Sequence, residues 1–172
     1  MVSNPIMADG IQEPIIEQRL GGLATELVVA SIFVDEGWNV YLPHRDVGID
    51  FIVTKPNPNG LTIRPVQVKG CYWRSRKDTD CYGKLNMDLS EVHKEMALVM
   101  PFYYEGMPAR SLECIAFLPF SQLVKKPNGN YRCEPACIKK GRVSPRRDFR
   151  QYFGLEGLRL MEQSDWSSLR VR

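Results

Sequence analysis

The feature that most constrains this chain is a change of hydrophobic period at Gly37. Upstream, Leu23, Leu27, Ala30 and Val34 stand at i, i+4, i+7 and i+11, one apolar stripe on a helix running from Ile15 to Glu36. Pro14 sits where a helix can begin, and Gly37 suits a C-cap. Gly21-Gly22 weaken the early part of that helix, or mark a point where something approaches the backbone closely. Downstream, Trp38 to Leu42 reads as a strand ended by Pro43, and His44 to Gly48 as a turn. Ile49 to Thr54 is a second strand, Lys55 to Gly60 a turn, and Leu61 to Lys69 a third strand. Pro65 interrupts that third strand and predicts a bulge or a locally unpaired edge. A helix followed by three closely connected strands predicts an antiparallel meander with the helix packed on it.

The remainder is less regular. Gly70 to Gly83 is polar, aromatic and basic and reads as a loop. Leu85 to Leu89 alternates as a short strand, and Ser90 is a helix N-cap with His93 at the capping-box position. Met96 to Tyr104 is a central apolar strand, Leu112 to Leu118 another, and Pro119 to Val124 a short helix. Lys125 to Arg150 is loop-rich, with a turn at Pro127-Asn128-Gly129-Asn130, and Phe153 to Met161 is a last helix. A length of 172 residues without an internal repeat predicts one domain. Its parts are a frayed N-terminus over 1–14, a core over 15–124, and a basic, loop-rich extension with a terminal helix over 125–172, packed on the same domain.

Composition excludes several classes. With 44% hydrophobic and 25% charged residues the chain has the apolar surface that a disordered chain lacks. No apolar run reaches the roughly 18–20 residues that span a bilayer. Met1 to Gly10 has neither the basic nor the apolar part of a secretory signal, so no membrane association and a cytoplasmic location are expected. Net charge is only +3, but it is segregated: Asp9 to Glu36 holds six acidic residues and one basic, whereas Lys139 to Arg150 holds six basic and one acidic. A separate basic segment suits one positive face toward a polyanion, or a solvated loop. The five cysteines (Cys71, Cys81, Cys114, Cys133, Cys137) are odd in number and lack C-x2-C pairs, so free, partly buried thiols are expected rather than disulfides or a zinc site.

The residues that can carry chemistry lie between Gly22 and Gly70. Gln67 and Lys69 are two apart on a strand and share a face. Asp50 is a lone charge amid Ile49, Phe51, Ile52 and Val53, and burying it requires a partner, either a lysine or a divalent cation. Glu26 falls about 60–70° from the centre of the helical stripe at 100° per residue, on the border between core and solvent. A helix packed on the meander can point Glu26 at Asp50. Two carboxylates, an amide oxygen and an amine suit a hard cation such as magnesium or manganese. Each also has a structural reading: an edge salt bridge for Glu26, a turn-adjacent cap for Asp50, exposed strand positions for Gln67 and Lys69.

The order Glu26, Asp50 in Gly48-Ile49-Asp50-Phe51, and Gln67-Val68-Lys69 resembles the PD-(D/E)XK nuclease superfamily, the restriction-endonuclease-like fold. The local text is similar to its branch of Holliday-junction resolvases and Q-x-K homing endonucleases. The resemblance covers residues 15–72, with Ile49 in place of proline and Gln67 in place of the second acid. It implies an α/β (α+β) fold: an N-terminal helix on a mixed central sheet of about five strands, with the antiparallel meander and helices on both faces. It implies a DNA endonuclease, a homodimer, needing Mg2+ or Mn2+ and no organic cofactor. Asp50, Gln67, the Val68 backbone carbonyl and Glu26 would hold the metal, and Lys69 would complete the catalytic set. The alternative is an inactive nucleic-acid-binding or assembly module on the same fold. Tyr72, Trp73, Arg74, Arg76 and Lys77 follow the site directly, and Lys139, Lys140, Arg142, Arg146 and Arg147 extend a basic track; both are candidate nucleic-acid contacts through phosphate pairing and base stacking.

Overall fold

The computed structural model describes residues 22–44, 48–72, 81–82, 85–87, 93–103, 111–139 and 142–169. The first helix, α1 (Gly22–Asp35), leads into β1 (Asn39–Tyr41), β2 (Phe51–Asn57), β3 (Gly60–Val68) and β4 (Cys71–Tyr72). Then come β5 (Cys81–Tyr82), β6 (Leu85–Met87), β7 (Ala97–Tyr103) and β8 (Ile115–Pro119). Four short strands follow: β9 (Val124–Lys125), β10 (Tyr131–Cys133), β11 (Ala136–Lys139) and β12 (Arg142–Pro145). A 3-10 helix at Arg147–Tyr152 precedes α2 (Gly154–Leu160). The main sheet has six strands in the order β1-β2-β3-β7-β4, with β8 on β7, and is mixed: β3 and β4 run parallel to β7 and the other pairs are antiparallel. Two three-stranded sheets, β6-β10-β9 and β12-β11-β5, accompany it. The protein is thus mixed α/β, with the expected meander and more strands than sequence predicted. No described helix is long and apolar enough to cross a membrane.

Helix α1 ends where the period changes. Gly37, at φ 81°, occupies the left-handed position of a Schellman cap. Its N–H donates to Val34 O at 3.0 Å, and that of Trp38 to Phe33 O at 2.9 Å. The cap fixes Trp38 edge-on to Phe33, whose ring also meets Phe51 and Phe117. Phe33 is therefore the aromatic hub of the core on this face of the sheet.

The buried face of α1 differs from expectation. Thr25, Val29, Ile32 and Phe33 are buried, while Leu23, Leu27 and Val34 are 67%, 50% and 57% exposed. The helix carries two apolar stripes, and the bulkier aromatic one wins the sheet. Glu26 lies between the stripes, so its border position holds although the packed face is the other one.

Proline placement follows hydrogen-bond parity. Pro58-Asn59 form a two-residue turn closed by the Asn57–Gly60 pair, which makes every second pair back from it hydrogen-bonded. Pro56, opposite Leu61, and Pro65, opposite Ile52, fall in the alternate pairs. Pro65 is accordingly in register and not bulged; its nitrogen faces the side where β7 begins only at Ala97, opposite Val66, so the locally unpaired edge is the expected alternative that is found. The turn predicted from Lys55 is shorter, because β2 continues to Asn57.

Among the described residues, no helix of its own covers the second face of the sheet. Leu98, Met100, Phe102, Ala116 and Leu118 pack there against Cys133, Ala136, Tyr152 and Phe153, from β10, β11 and the end of the 3-10 helix. The loop-rich reading of 125–150 thus misses three short strands, β10 to β12, and the end of β9, too short and too polar to show a period. Leu112 to Cys114, expected as strand, form a 3-10 turn, as does Phe120–Gln122 where a short helix was expected. Helix α2 lies within the predicted last helix; the predicted cap at Ser90 and the N-terminal tail fall outside the described residues.

Arg64 ties the C-terminal segment to β3. It is 6% exposed and donates through Nε to Met161 O at 3.0 Å, through Nη2 to Gln163 O at 2.7 Å, and through Nη1 to Ile63 O and to Glu95 Oε2 at 2.9 Å. Removing the guanidinium leaves helix-end carbonyls and a half-buried carboxylate without it. Arg64→Ala is expected to cost about 3–5 kcal/mol, and Glu95→Gln less, since only the charge is lost. Urea unfolding followed by fluorescence of the buried Trp38 and Trp166 measures both; equal costs would show that the carbonyl contacts contribute little.

Candidate active site

Strand β3 is held on both sides, and both ladders run out at its end. On the β2 side, Phe51 pairs with Val66, yet the Asp50 N–H also donates to Val66 O at 2.9 Å. Asp50 and Phe51 thus share one partner, the two-against-one geometry of a bulge. Continued alternation would bring the Val68 N–H to the carbonyl of Ile49. Instead the Asp50 carboxylate takes it, Val68 N to Oδ2 at 2.6 Å. Gln67 Nε2 donates to both Asp50 oxygens, at 3.0 and 2.9 Å. An amide and a backbone N–H are therefore among the partners of this acid.

On the β7 side the register is the same before and after a gap: Val68 opposes Val99, and Cys71 opposes Phe102. β4 is thus the continuation of β3, interrupted at Lys69 and Gly70. Lys69 falls opposite Met100, and its N–H reaches Val99 O at 2.8 Å. The next ladder bond would come from the N–H of residue 101, and that residue is Pro101, which has none. Among the described residues, the Lys69 carbonyl accepts a long bond from the Cys71 thiol, 3.6 Å. The missing proline donor opens the strand at Lys69, whose side chain is exposed.

Glu26 is half-buried on α1, and no hydrogen bond or ion pair joins it or the Lys69 ammonium to the Asp50–Gln67 pair. What brings α1 to this strand end is its neighbour. Thr25, 2% exposed, shares a 2.7 Å hydrogen bond with the hydroxyl of Tyr72, three residues past Lys69. Tyr72 stacks on Tyr103, ring centroids 4.9 Å apart and 16° from parallel. Burial pushes the Tyr103 hydroxyl up to about 12; the nearby Thr25 hydroxyl opposes that shift, but its well-formed hydrogen bond is to Tyr72. Thr25 and Tyr103 escaped the sequence reading; the one hint was a threonine on an apolar helix.

The structure thus brings Asp50, Gln67 and the Val68 backbone into contact and sets Lys69 and the Glu26 turn of α1 near the same strand end. Among the nucleic-acid candidates, Tyr72 is committed to the contacts above. Trp73, Arg74, Arg76, Lys77 and Lys140 lie outside the described residues. Lys139 and Arg142 pair across the tip of the β11–β12 hairpin, and β11 also pairs with β5. That arrangement ties the hairpin to the chain emerging from the segment after Tyr72. Arg142, Arg146 and Arg147 are exposed. Arg146 is shared with Glu134, which also pairs with Arg132. Arg147 and Arg150 line an open cleft with Asp148, Gln151 and Glu156, a mixture of signs rather than an anion pocket.

Among the described residues, no cluster of three or more His, Cys, Asp or Glu comes together. His93 accepts the Glu95 N–H at Nδ1, 3.2 Å, and His44 is exposed. Cys71, Cys114, Cys133 and Cys137 are free thiols. Burial pushes the Cys133 thiol up to about 12, with the neighbouring Glu134 adding to the shift. A raised thiol pKa means less thiolate, so Cys133 is expected to resist thiol reagents at pH 8 until the protein unfolds. Mass spectrometry after brief alkylation, with and without urea, reads this; prompt native labelling would contradict the burial. A scan of the chain against protein-family models gave no match, and no curated protein matches it significantly.

The Asp50–Gln67 contact also predicts the behaviour of Gln67→Glu. Two carboxylates at this separation repel, which raises at least one carboxyl pKa. Without metal the variant is expected to melt below wild type near neutral pH. Excess magnesium is expected to reverse the order, since only the folded state presents the pair. Thermal melts in EDTA and in magnesium test this, and the same ranking in both would place Gln67 away from any cation.

Proposed function

We propose that the chain is a metal-dependent endonuclease that hydrolyses phosphodiester bonds in DNA, built on a restriction-endonuclease-like core. The observation that carries this reading is the convergence of Asp50 and Gln67 beside the opened end of β3, with Lys69 exposed at the opening. The order of elements supports it: a helix, an antiparallel meander, and a further strand, β7, parallel to β3.

The donor set fits a hard cation once the Gln67 amide turns over. In the present arrangement its Nε2, not its oxygen, faces Asp50. Asp50, the turned Gln67 oxygen, the Val68 carbonyl and Glu26 would hold Mg2+ or Mn2+. When bound, such an ion supplies Lewis-acid polarisation of a phosphate and a more acidic water. The residues of the chain supply the rest. The Lys69 ammonium is free to orient an attacking water and to balance charge that develops on the phosphate. Asp50 keeps its carboxylate fixed through the Val68 N–H. The exposed arginines of the C-terminal segment contact phosphates away from the cut. A homodimer would supply the second site that a double-strand cut requires.

A second reading has its own support. The Gln67 amide already donates to both Asp50 oxygens, as a non-catalytic nucleic-acid-binding module on this fold would require.

Incubation with plasmid, single-stranded and branched DNA in magnesium or manganese separates the two. Cleavage is expected, falling at least about a hundredfold in Lys69→Met and Asp50→Asn. Asp50→Asn keeps an oxygen for the Val68 N–H and so separates charge from fold. DNA binding without cleavage on any substrate, or full activity in Asp50→Asn, favours the module.

A further inference from the structure

We infer that Tyr72 is a positioning residue for Glu26, acting through the hydroxyl of Thr25 to fix the acid-bearing turn of α1 against the open end of β3. The inference rests on the metal-dependent reading above and adds to it a residue that acts through another side chain.

Three contacts immobilise Tyr72. Its hydroxyl meets Thr25 Oγ1 at 2.7 Å. Its ring stacks on Tyr103, which is also its partner in the parallel ladder. Its ring also lies against Gly70, where an added Cβ would stand 2.9 Å from Tyr72 Cε2. Only glycine at that position lets the ring fold back along its own strand. The strand is the one that Pro101 opens at Lys69, so the ring is anchored just beyond the break. The hydroxyl pair therefore spans from the strand that carries Gln67 and Lys69 to the residue preceding Glu26.

Thr25 makes sense only in these terms. It is 2% exposed on a helix whose other buried residues are Val29, Ala30, Ile32 and Phe33. Valine has nearly the same shape and no hydroxyl to satisfy, so an apolar packing role alone would favour it. On the far side the Glu26 carboxylate lies over Gly22, its Oε1 3.6 Å from where a Cβ would be, an ordinary contact distance. The fixed Thr25 sets where the Glu26 side chain leaves the helix.

The test uses the full chain and four variants: Tyr72→Phe, Thr25→Val, Thr25→Ser and the double Tyr72→Phe/Thr25→Val. Two quantities are read, the Mn2+ dissociation constant by calorimetry and the thermal midpoint in EDTA. Tyr72→Phe and Thr25→Val are each expected to weaken Mn2+ binding by about tenfold. The double variant is expected to be no weaker than either single one, because the two hydroxyls act as one pair. Thr25→Ser is expected to restore wild-type affinity. A lowered midpoint with unchanged Mn2+ affinity would assign the pair to stability alone and overturn the inference, as would effects that multiply in the double variant. Wild type and Asp50→Asn run in the same series. If wild type binds no Mn2+, the metal reading fails and takes this inference with it. If wild type binds, Asp50→Asn does not, and Tyr72→Phe matches wild type, only this inference fails.

Discussion

The structure turns on a hydrogen bond that cannot form. Pro101 has no N–H to give to Lys69, so the parallel ladder between β3 and β7 parts there and resumes at Cys71 in unchanged register. One residue earlier the β2 side also stops being an ordinary ladder, because the Asp50 carboxylate has replaced a backbone carbonyl on Val68. Backbone polar groups need partners wherever water is scarce. A strand released on both sides within two residues therefore gathers polar side chains around its end. The candidate site is the place where this sheet runs out of backbone partners, and Asp50, Gln67 and Lys69 are the residues the sheet leaves there.

Helix α1 is placed by two anchors at opposite ends. At its C-terminus the Schellman cap holds Trp38 against Phe33, and Lys55 donates to the Glu36 carbonyl while pairing with Glu162. Toward its N-terminus the anchor is the Thr25–Tyr72 pair. The first anchor is apolar and sets the distance of the helix from the sheet. The second is polar and directional, and it sets the rotation of the turn that carries Glu26. A helix with apolar residues on two stripes has no strong rotational preference of its own, so its rotation has to come from such contacts.

That is also why some of the protein was legible in sequence and some was not. Gly37, the meander and the central strand could be read because each rests on local chemistry: a positive φ, a two-residue turn, a β-branched run. Asp50 could be marked as needing a partner because a lone acid in an apolar strand is costly to bury, but the expected partner was a lysine or a cation, whereas the Gln67 amide makes the contact. The buried stripe of α1 was misread because Leu23, Leu27 and Val34 satisfy helical spacing as well as Thr25, Val29 and Phe33 do. Only the aromatic cluster around Phe33, assembled from β2 and β8, chooses between them. Pro65 left a bulge and a locally unpaired edge both open, because the choice depends on hydrogen-bond parity counted from the turn at Pro58 and on where β7 begins. The short C-terminal strands have no period to detect; they exist because β6 and β5 arrive beside them from a distant part of the chain.

The glutamine at position 67 reconciles stability with chemistry at this end of the sheet. Asp50 is needed by the fold, since it closes the ladder at Val68, and a second carboxylate beside it would oppose folding whenever no cation is present. An amide removes that conflict. It donates to both oxygens of Asp50, and on the proposed reading it would offer an oxygen instead by turning over. The same side chain can therefore complete the sheet and admit a cation, at different times. A carboxylate at position 67 would bind a dication more strongly but would tie the folded state to it. On the metal-dependent reading proposed above, neutrality at this position would let the domain fold first and acquire its metal afterwards.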